Sequence, residues 1–224
     1  MKTLELFAGS CSFSKVAKEL GNKTFTTDNV QYGDIDLVKD ILEFDFSEVP
    51  YVPDMLWASP PCKYFSVASI GKHWNKDHTP KSENAMDGVR LVEKTIEIIK
   101  YYQKLNPELI YYIENPRGKL RKLPVMENMP IRNTVTYCQY GDTRMKPTDI
   151  WTNDNSWTPR PMCKNGDSCH VSAPRGSRTG TQGLKGVYER SIIPSELFRE
   201  IFKIKNGKKR KGIITNSRNC KLLF

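Results

Sequence analysis

The chain has 224 residues, 38% hydrophobic and 27% charged, with a formal net charge of +10 at pH 7. That length supports one main core, the ordinary Gly and Pro content excludes a low-complexity polymer, and no apolar run approaches the roughly 20 residues of a membrane-spanning helix. The positive balance favours a polyanionic partner, nucleic acid being the commonest.

The first residues read as a strand over 2–7 and lack the length of a signal peptide, so the expected location is intracellular and cytoplasmic. In that reducing setting the six cysteines, Cys11, Cys62, Cys138, Cys163, Cys169 and Cys220, read as free thiols. A helix over 13–20 follows, then short strands over 24–27 and 55–58. Val89, Val92, Ile96 and Ile99 set helical spacing over 89–103, and 109–113 is again strand-like. Strands alternating with helices predict an α/β fold with a doubly wound, mostly parallel sheet. Further strands are expected over 134–138 and 149–152.

From 153 to 185 Gly, Pro, Ser, Arg and Thr dominate and no apolar period survives, which predicts a loop-rich insertion. Pro194 opens a helix over 195–204 with Leu197, Ile201 and Ile204 on one face. A basic tail over 203–212 follows. The expected organisation is a catalytic α/β domain over 1–152, a small recognition insertion over 153–185, and a return helix with the tail over 186–224.

Three segments carry chemistry. The first runs Leu4-Glu5-Leu6-Phe7-Ala8-Gly9-Ser10-Cys11-Ser12, a strand entering a glycine turn and then a helix, as a nucleotide-type cofactor requires. Asp28, after the next strand, is placed to accept from ribose hydroxyls, or is an ordinary turn aspartate. The second is Ser59-Pro60-Pro61-Cys62-Lys63-Tyr64-Phe65-Ser66, where two prolines restrict the backbone before a cysteine at a strand's carboxyl end. The third is Ile113-Glu114-Asn115-Pro116-Arg117-Gly118, whose carboxyl group faces the same crevice as Cys62 and, if desolvated, would act as an acid.

The order Leu-Phe-Ala-Gly, Pro-Pro-Cys, Glu-Asn resembles the cytosine-5 DNA methyltransferase family, across about residues 3 to 200. Two further stretches fit the resemblance: Gln139-Tyr140-Gly141 followed by Arg144 and Lys146, and Arg190-Ser191-Ile192-Ile193-Pro194. The resemblance implies a Rossmann-like fold, S-adenosylmethionine (SAM) as methyl donor, and double-stranded DNA as partner, in a small phage- or bacterial-type member. It implies Cys62 as nucleophile, Glu114 as the group that contacts the base, and Asn115 as its positioning neighbour, with Arg144 and Lys146 beside the thiolate. The implied cofactor pocket comprises Phe7, Ala8, Gly9, Ser10, Cys11, Ser12, Asp28, Asn29, Asp40, Ile41, Pro60 and Ser191. Lys63, Ser66, Trp74, Arg117, Arg175 and Arg178 are the implied nucleic-acid contacts.

The polar stretch 63–85 is a candidate mobile loop, with Ile70 or Trp74 either filling the hole left by a flipped base or, for Trp74, packing onto the domain. A short insertion reaches few base edges, so the expected recognition site is about two to four base pairs. The sequence departs from the family pattern at Lys63, Pro116, Thr148 and Arg190. Cys163, Cys169 and His170 invite a metal reading, but C-x5-C-H is not a usual ligand spacing and adjacent Cys169 and His170 are poorly placed to share one ion, so no metal is expected. An RNA (tRNA) cytosine-5 methyltransferase and an inactive nucleic-acid-binding relative remain alternatives.

Overall fold

The computed structural model describes residues 1–67, 70–174, 184 and 186–216; the side chains of 187, 206 and 208–216 are outside that description. Seven strands form one sheet in the order β3-β2-β1-β4-β5-β7-β6. They are β1 (Lys2–Leu6), β2 (Lys23–Asp28), β3 (Leu37–Val38), β4 (Met55–Ala58), β5 (Ile110–Pro116), β6 (Ile131–Thr136) and β7 (Pro147–Thr152). Neighbouring pairs from β3 through β5 are parallel, while β7 runs against both β5 and β6. The expected doubly wound, mostly parallel sheet is therefore present.

The helices are α1 (Ser12–Glu19), α2 (Ile70–His73), α3 (Glu83–Leu105), α4 (Val187–Ser191) and α5 (Ser195–Asn216). Strand alternation sends the two faces of β4 into different cores. Leu56 and Ala58 join Val92, Ile96 and Ile99 of α3 on one side. Met55 and Trp57 join Phe13 of α1 and Leu197, Phe198, Ile201 and Phe202 of α5 on the other. Phe13 is the hub of the second layer, its ring centroid 5.8 Å from Trp57, 5.5 Å from Phe198 and 5.4 Å from Phe202. Burying each such side chain stabilises the fold by roughly 1.5–3 kcal/mol.

Helix α3 begins earlier than its apolar spacing predicts, because the Ser82 hydroxyl caps it by accepting from the Ala85 N–H at 3.3 Å. Helix α1 has no side-chain cap of its own. Instead the buried Glu5 carboxylate, from the middle of β1, accepts from the N–H groups of Phe13 (3.3 Å) and Ser14 (2.9 Å). Burial pushes the Glu5 carboxyl up to about 7 against those hydrogen bonds.

The stretch 153–174 forms no helix or strand, as expected, yet it is not detached from the core. Trp157 is buried with α1 and α5, and its indole N–H donates to Glu200 at 3.1 Å. Lys205, expected in a basic tail, lies instead within α5 and pairs with the buried Asp154 at 2.5 Å. None of the described helices is long and apolar enough to cross a membrane.

Candidate functional site

The sheet's topology reverses between β1 and β4, and in open α/β sheets the crevice at such a switch point takes the ligand. The turn after β1, the Cys62 turn after β4 and the end of β5 all open at this edge. After β4 the chain passes Pro60 and Pro61 into a short 3-10 turn, Cys62–Tyr64, which leaves Cys62 exposed at its first position. Asn115, fully buried in β5, donates from Nδ2 to the Pro60 carbonyl at 2.9 Å and so fixes the cysteine turn to the next strand. Its Oδ1 has no hydrogen-bond partner among the described residues. Gly118 completes the clamp: an added Cβ would stand 2.3 Å from the Phe65 carbonyl oxygen, so only glycine allows these two loops to touch.

Glu114 is buried and accepts a 2.8 Å hydrogen bond from the Tyr137 hydroxyl. Protein crowding around the Cys62 sulfur pushes its thiol up from the usual range, although the residue as a whole is exposed. The Lys146 charge opposes that rise, the Glu114 charge adds to it, and Arg190 opposes it more weakly. These four groups therefore share one electrostatic environment, with a nucleophile, a carboxyl group and two cations in it.

The glycine turn after β1 brings a second group of polar residues together. Phe7, Gly9 and Cys11 hold φ values of 55°, 46° and 54°, a left-handed turn that is costly except at glycine. The Gly9 N–H donates to Asp28 Oδ2 at 2.9 Å. A Cβ on Gly9 would meet Ser191 Oγ at 3.8 Å and Asp28 Oδ2 at 3.9 Å, so bare glycine, a carboxylate and a hydroxyl from three distant segments lie close together. Burial raises the Asp28 pKa, against hydrogen bonds from the Gly9, Val30 and Asn29 amides. Ser12 accepts from the Ile193 N–H at 3.2 Å, joining the last motif to the first. Its hydroxyl also lies 2.7 Å from that of Ser10. Asp40 is exposed and caps the turn Ile41–Glu43 through the Leu42 N–H, while the Ile41 side chain is buried in the core, leaving its main chain as the part able to meet a ligand. Asn29 is exposed and Cys11 is buried with Ala8. These groups suit a nucleoside: a carboxylate to accept from ribose hydroxyls, the Ser10 and Ser12 hydroxyls, and a glycine that permits close approach.

Arg144, expected beside the thiolate, has its guanidinium engaged with other groups. It is buried, ion-paired with Asp142, and donates from Nη2 to the Ile192 carbonyl at 3.1 Å and from Nη1 to those of Glu189 and Arg190 at 3.4 Å each. Its donors are spent on holding the last motif, which makes it a positioning residue. Lys146 reaches the expected surroundings, half-buried, with Nζ 3.2 Å from the Arg190 carbonyl and 4.7 Å from the Tyr137 ring centroid. Its φ of 28° just before Pro147 is a conformation few residues adopt. Tyr137 and Arg190 are site residues that sequence reasoning did not assign; the first stood two residues before the recognised Gln139-Tyr140-Gly141 stretch, the second was noted only as an oddity.

Of the nucleic-acid candidates, Lys63 and Arg117 are exposed beside Cys62 and Glu114. Ser66 is half-buried, its N–H donating to the Cys62 carbonyl at 3.0 Å. Trp74 requires correction. It is 4% exposed, stacks toward Phe65, and donates from its indole to the Tyr64 carbonyl at 2.7 Å. It packs onto the domain because its single polar group already has a partner, so it is not free to enter a duplex. A cavity of about 510 Å3 is lined by Trp74 with Pro80, Met86, Val89 and Val125 among others, and neither Cys62 nor Glu114 lines it. Arg175 and Arg178 lie outside the described residues.

The reading that set metal aside also changes. The fold adds Cys138 to Cys163, Cys169 and His170, and the four donor atoms all lie within 4.8 Å of one another.

No family model matches the chain. A "Probable DNA (cytosine-5)-methyltransferase" of Frog virus 3 is 31% identical over 176 residues, which span 75% of this chain and 78% of that protein. Among solved structures, a methyltransferase of Entamoeba histolytica matches with a TM-score of 0.46 at 12% identity, over 73% of this chain and 57% of that one. The Dnmt2 methyltransferase of S. pombe matches with a TM-score of 0.43 at 13% identity, over 71% and 52% respectively. The chain thus spans little more than half the length of these two structures.

Proposed function

The chain belongs to the cytosine-5 DNA methyltransferase family, and from that premise we propose that it transfers a methyl group from SAM to carbon 5 of cytosine in double-stranded DNA, with Cys62 as nucleophile. The observation that carries this reading is the convergence at the strand ends: Asn115 ties the Cys62 turn to β5 through the Pro60 carbonyl, the Tyr137 hydroxyl donates to Glu114, and Lys146 Nζ lies 4.7 Å from the Tyr137 ring centroid, with Gly9, Asp28 and Ser191 grouped at the turn after β1. Bound SAM supplies an electrophilic methyl group on a sulfonium. Asp28 would hold the ribose hydroxyls, the turn at Gly9 would admit the cofactor's backbone-hugging portion, and Asp40 would face the base end.

The target base must leave the duplex before its ring can be attacked. The Cys62 thiolate then adds to carbon 6, which places negative charge on the ring and makes carbon 5 nucleophilic. Lys146 favours the thiolate, offsetting part of the burial that opposes it. Glu114, held by the Tyr137 hydroxyl, would hydrogen-bond ring nitrogen 3 as charge develops. After methyl transfer, loss of the carbon 5 proton expels the thiolate and restores the aromatic ring. Lys63 and Arg117, exposed at the rim, would contact phosphate.

The test incubates purified protein with labelled SAM and either duplex DNA or total tRNA, then identifies the labelled nucleoside. Labelled 5-methyldeoxycytidine from DNA, absent with Cys62→Ser, is the expected result. Label confined to RNA, or unchanged turnover in Cys62→Ser, would overturn the proposal.

A further inference from the structure

Away from Cys62, the same strand-to-turn segment that holds Tyr137 carries a second concentration of thiols. Cys138 follows Tyr137 in the turn after β6, and its Sγ lies 3.0 Å from that of Cys163. Cys163 Sγ lies 2.9 Å from Cys169 Sγ, and Cys169 Sγ lies 3.7 Å from Cys138 Sγ. The imidazole Nδ1 of His170 is 3.5 Å from Cys169 Sγ. Cys138 and Cys163 are buried, His170 is half-buried and Cys169 is exposed.

We propose that Cys138, Cys163, Cys169 and His170 form a closed structural zinc site that ties the 163–170 loop to the turn following β6. Three sulfurs and one imidazole nitrogen are the donor set that a soft-to-borderline, four-coordinate ion takes, and no other described acidic group joins them. Around a tetrahedral zinc with Zn–S near 2.3 Å the sulfurs stand about 3.8 Å apart. The observed separations need to open by less than about 1 Å to reach that geometry. A disulfide would use two of the sulfurs and strand the third beside an imidazole, whereas one ion uses all four donors. On binding, each thiol releases its proton to solvent and the sulfur becomes a thiolate ligand.

The surroundings support the ion rather than merely tolerate it. The Gln139 side-chain amide donates to Cys163 Sγ at 2.7 Å, an outer hydrogen bond of the kind that steadies a thiolate ligand. The Cys163 N–H donates to Thr136 Oγ1 at 3.0 Å, and the Val171 N–H donates to the Thr143 carbonyl at 2.9 Å, so both ends of the loop are already bonded to the segment bearing Cys138. Ligation through Nδ1 puts a proton on Nε2, and the long 3.4 Å contact there from the Gly166 N–H is then given up. Four protein ligands leave no position for water, so the ion is structural. It would hold the recognition stretch against the turn in which Tyr137 meets Glu114, a placement that rests on the methyltransferase reading; occupancy of the site does not.

The experiment is metal analysis of the full chain, purified under reducing conditions without added metal. About one zinc per chain is expected, retained in Cys62→Ser and lost in Cys163→Ala. Replacement by cobalt(II) should give the intense ligand-field and thiolate charge-transfer absorption of a tetrahedral site. His170→Ala, which disturbs no buried side chain, should weaken zinc retention against a competing chelator by at least about tenfold while the protein stays folded. If Cys163→Ala does not fold, the cobalt spectrum of the unaltered chain and the His170→Ala competition still decide. Metal-free protein that also fails to develop the cobalt spectrum would overturn the proposal. So would a non-reduced peptide map in which two of these cysteines are joined with loss of two hydrogens. Because zinc content is read without turnover, its failure and failure of the proposed activity are separate results.

Discussion

The proposed catalytic edge and the cysteine-histidine cluster both rest on thiols and are assembled in opposite ways. At the edge, each functional group arrives on its own short motif, and the parallel sheet brings the motif ends together: Cys62 after β4, Glu114 in β5, Gly9 after β1. In the cluster, no motif exists until the chain folds, since Cys138 reaches Cys163 and Cys169 only when the insertion lies back across the turn after β6. A site inherited from a sheet can be read strand by strand. A site made by a returning loop cannot.

Removing the proposed nucleophile tests the edge most severely. Cys62→Ser should lower turnover by on the order of 10^3-fold or more, with SAM binding intact by calorimetry, since serine is nearly isosteric with cysteine and Cys62 is an exposed residue. Glu114→Gln should cost about 10^2-fold in turnover, by the loss of one positioned group that meets developing charge. A smaller loss from Glu114→Gln than from Tyr137→Phe would reverse the roles assigned to that hydrogen-bonded pair.

Arg144 separates the edge from the scaffold that holds it. As a thiolate partner its loss would change activity alone. As the buried partner of Asp142 and of three carbonyls, its replacement by Ala should destabilise the fold by about 3–5 kcal/mol in denaturant unfolding, by leaving Asp142 uncompensated. Lys should not restore it, because an ammonium cannot reproduce the guanidinium's spread of donors. Full stability with lost activity would return Arg144 to the catalytic group.

These residues also show where sequence reading reached its limit. Strand alternation and the motif order exposed β1, β4, β5 and the three chemical segments, because each is a local pattern. The two-residue β3 and the four-residue α2 carry too few residues for any period. Helix α5 runs on to Asn216, beyond its apolar face, through basic residues that read as a tail. Trp74 could not be placed from sequence: an aromatic residue in a polar stretch serves a duplex or a core equally well, and only the Tyr64 carbonyl waiting for its indole decides. The partners of Arg144 were hidden for a related reason, since Asp142 lies close in sequence but its carbonyl acceptors lie more than forty positions away.

The smallest expected effect is the most discriminating for the electrostatics of the edge. Burial raises the Cys62 pKa and Lys146 opposes the rise. Removing that cation in Lys146→Met disfavours the thiolate, so the pKa should climb further and the ascending limb of the pH–rate profile should move to higher pH. At sufficiently alkaline pH the thiolate forms without help, and the variant's rate should approach that of the unaltered chain. Lys146→Arg keeps a charge and should leave the limb near its original position. If Lys146 served only to carry the strained backbone before Pro147, Lys146→Met would lower the rate equally at every pH and Arg would rescue nothing. The shape of the profile, rather than the size of the loss, therefore decides whether Lys146 acts on the thiol or on the turn that bears it.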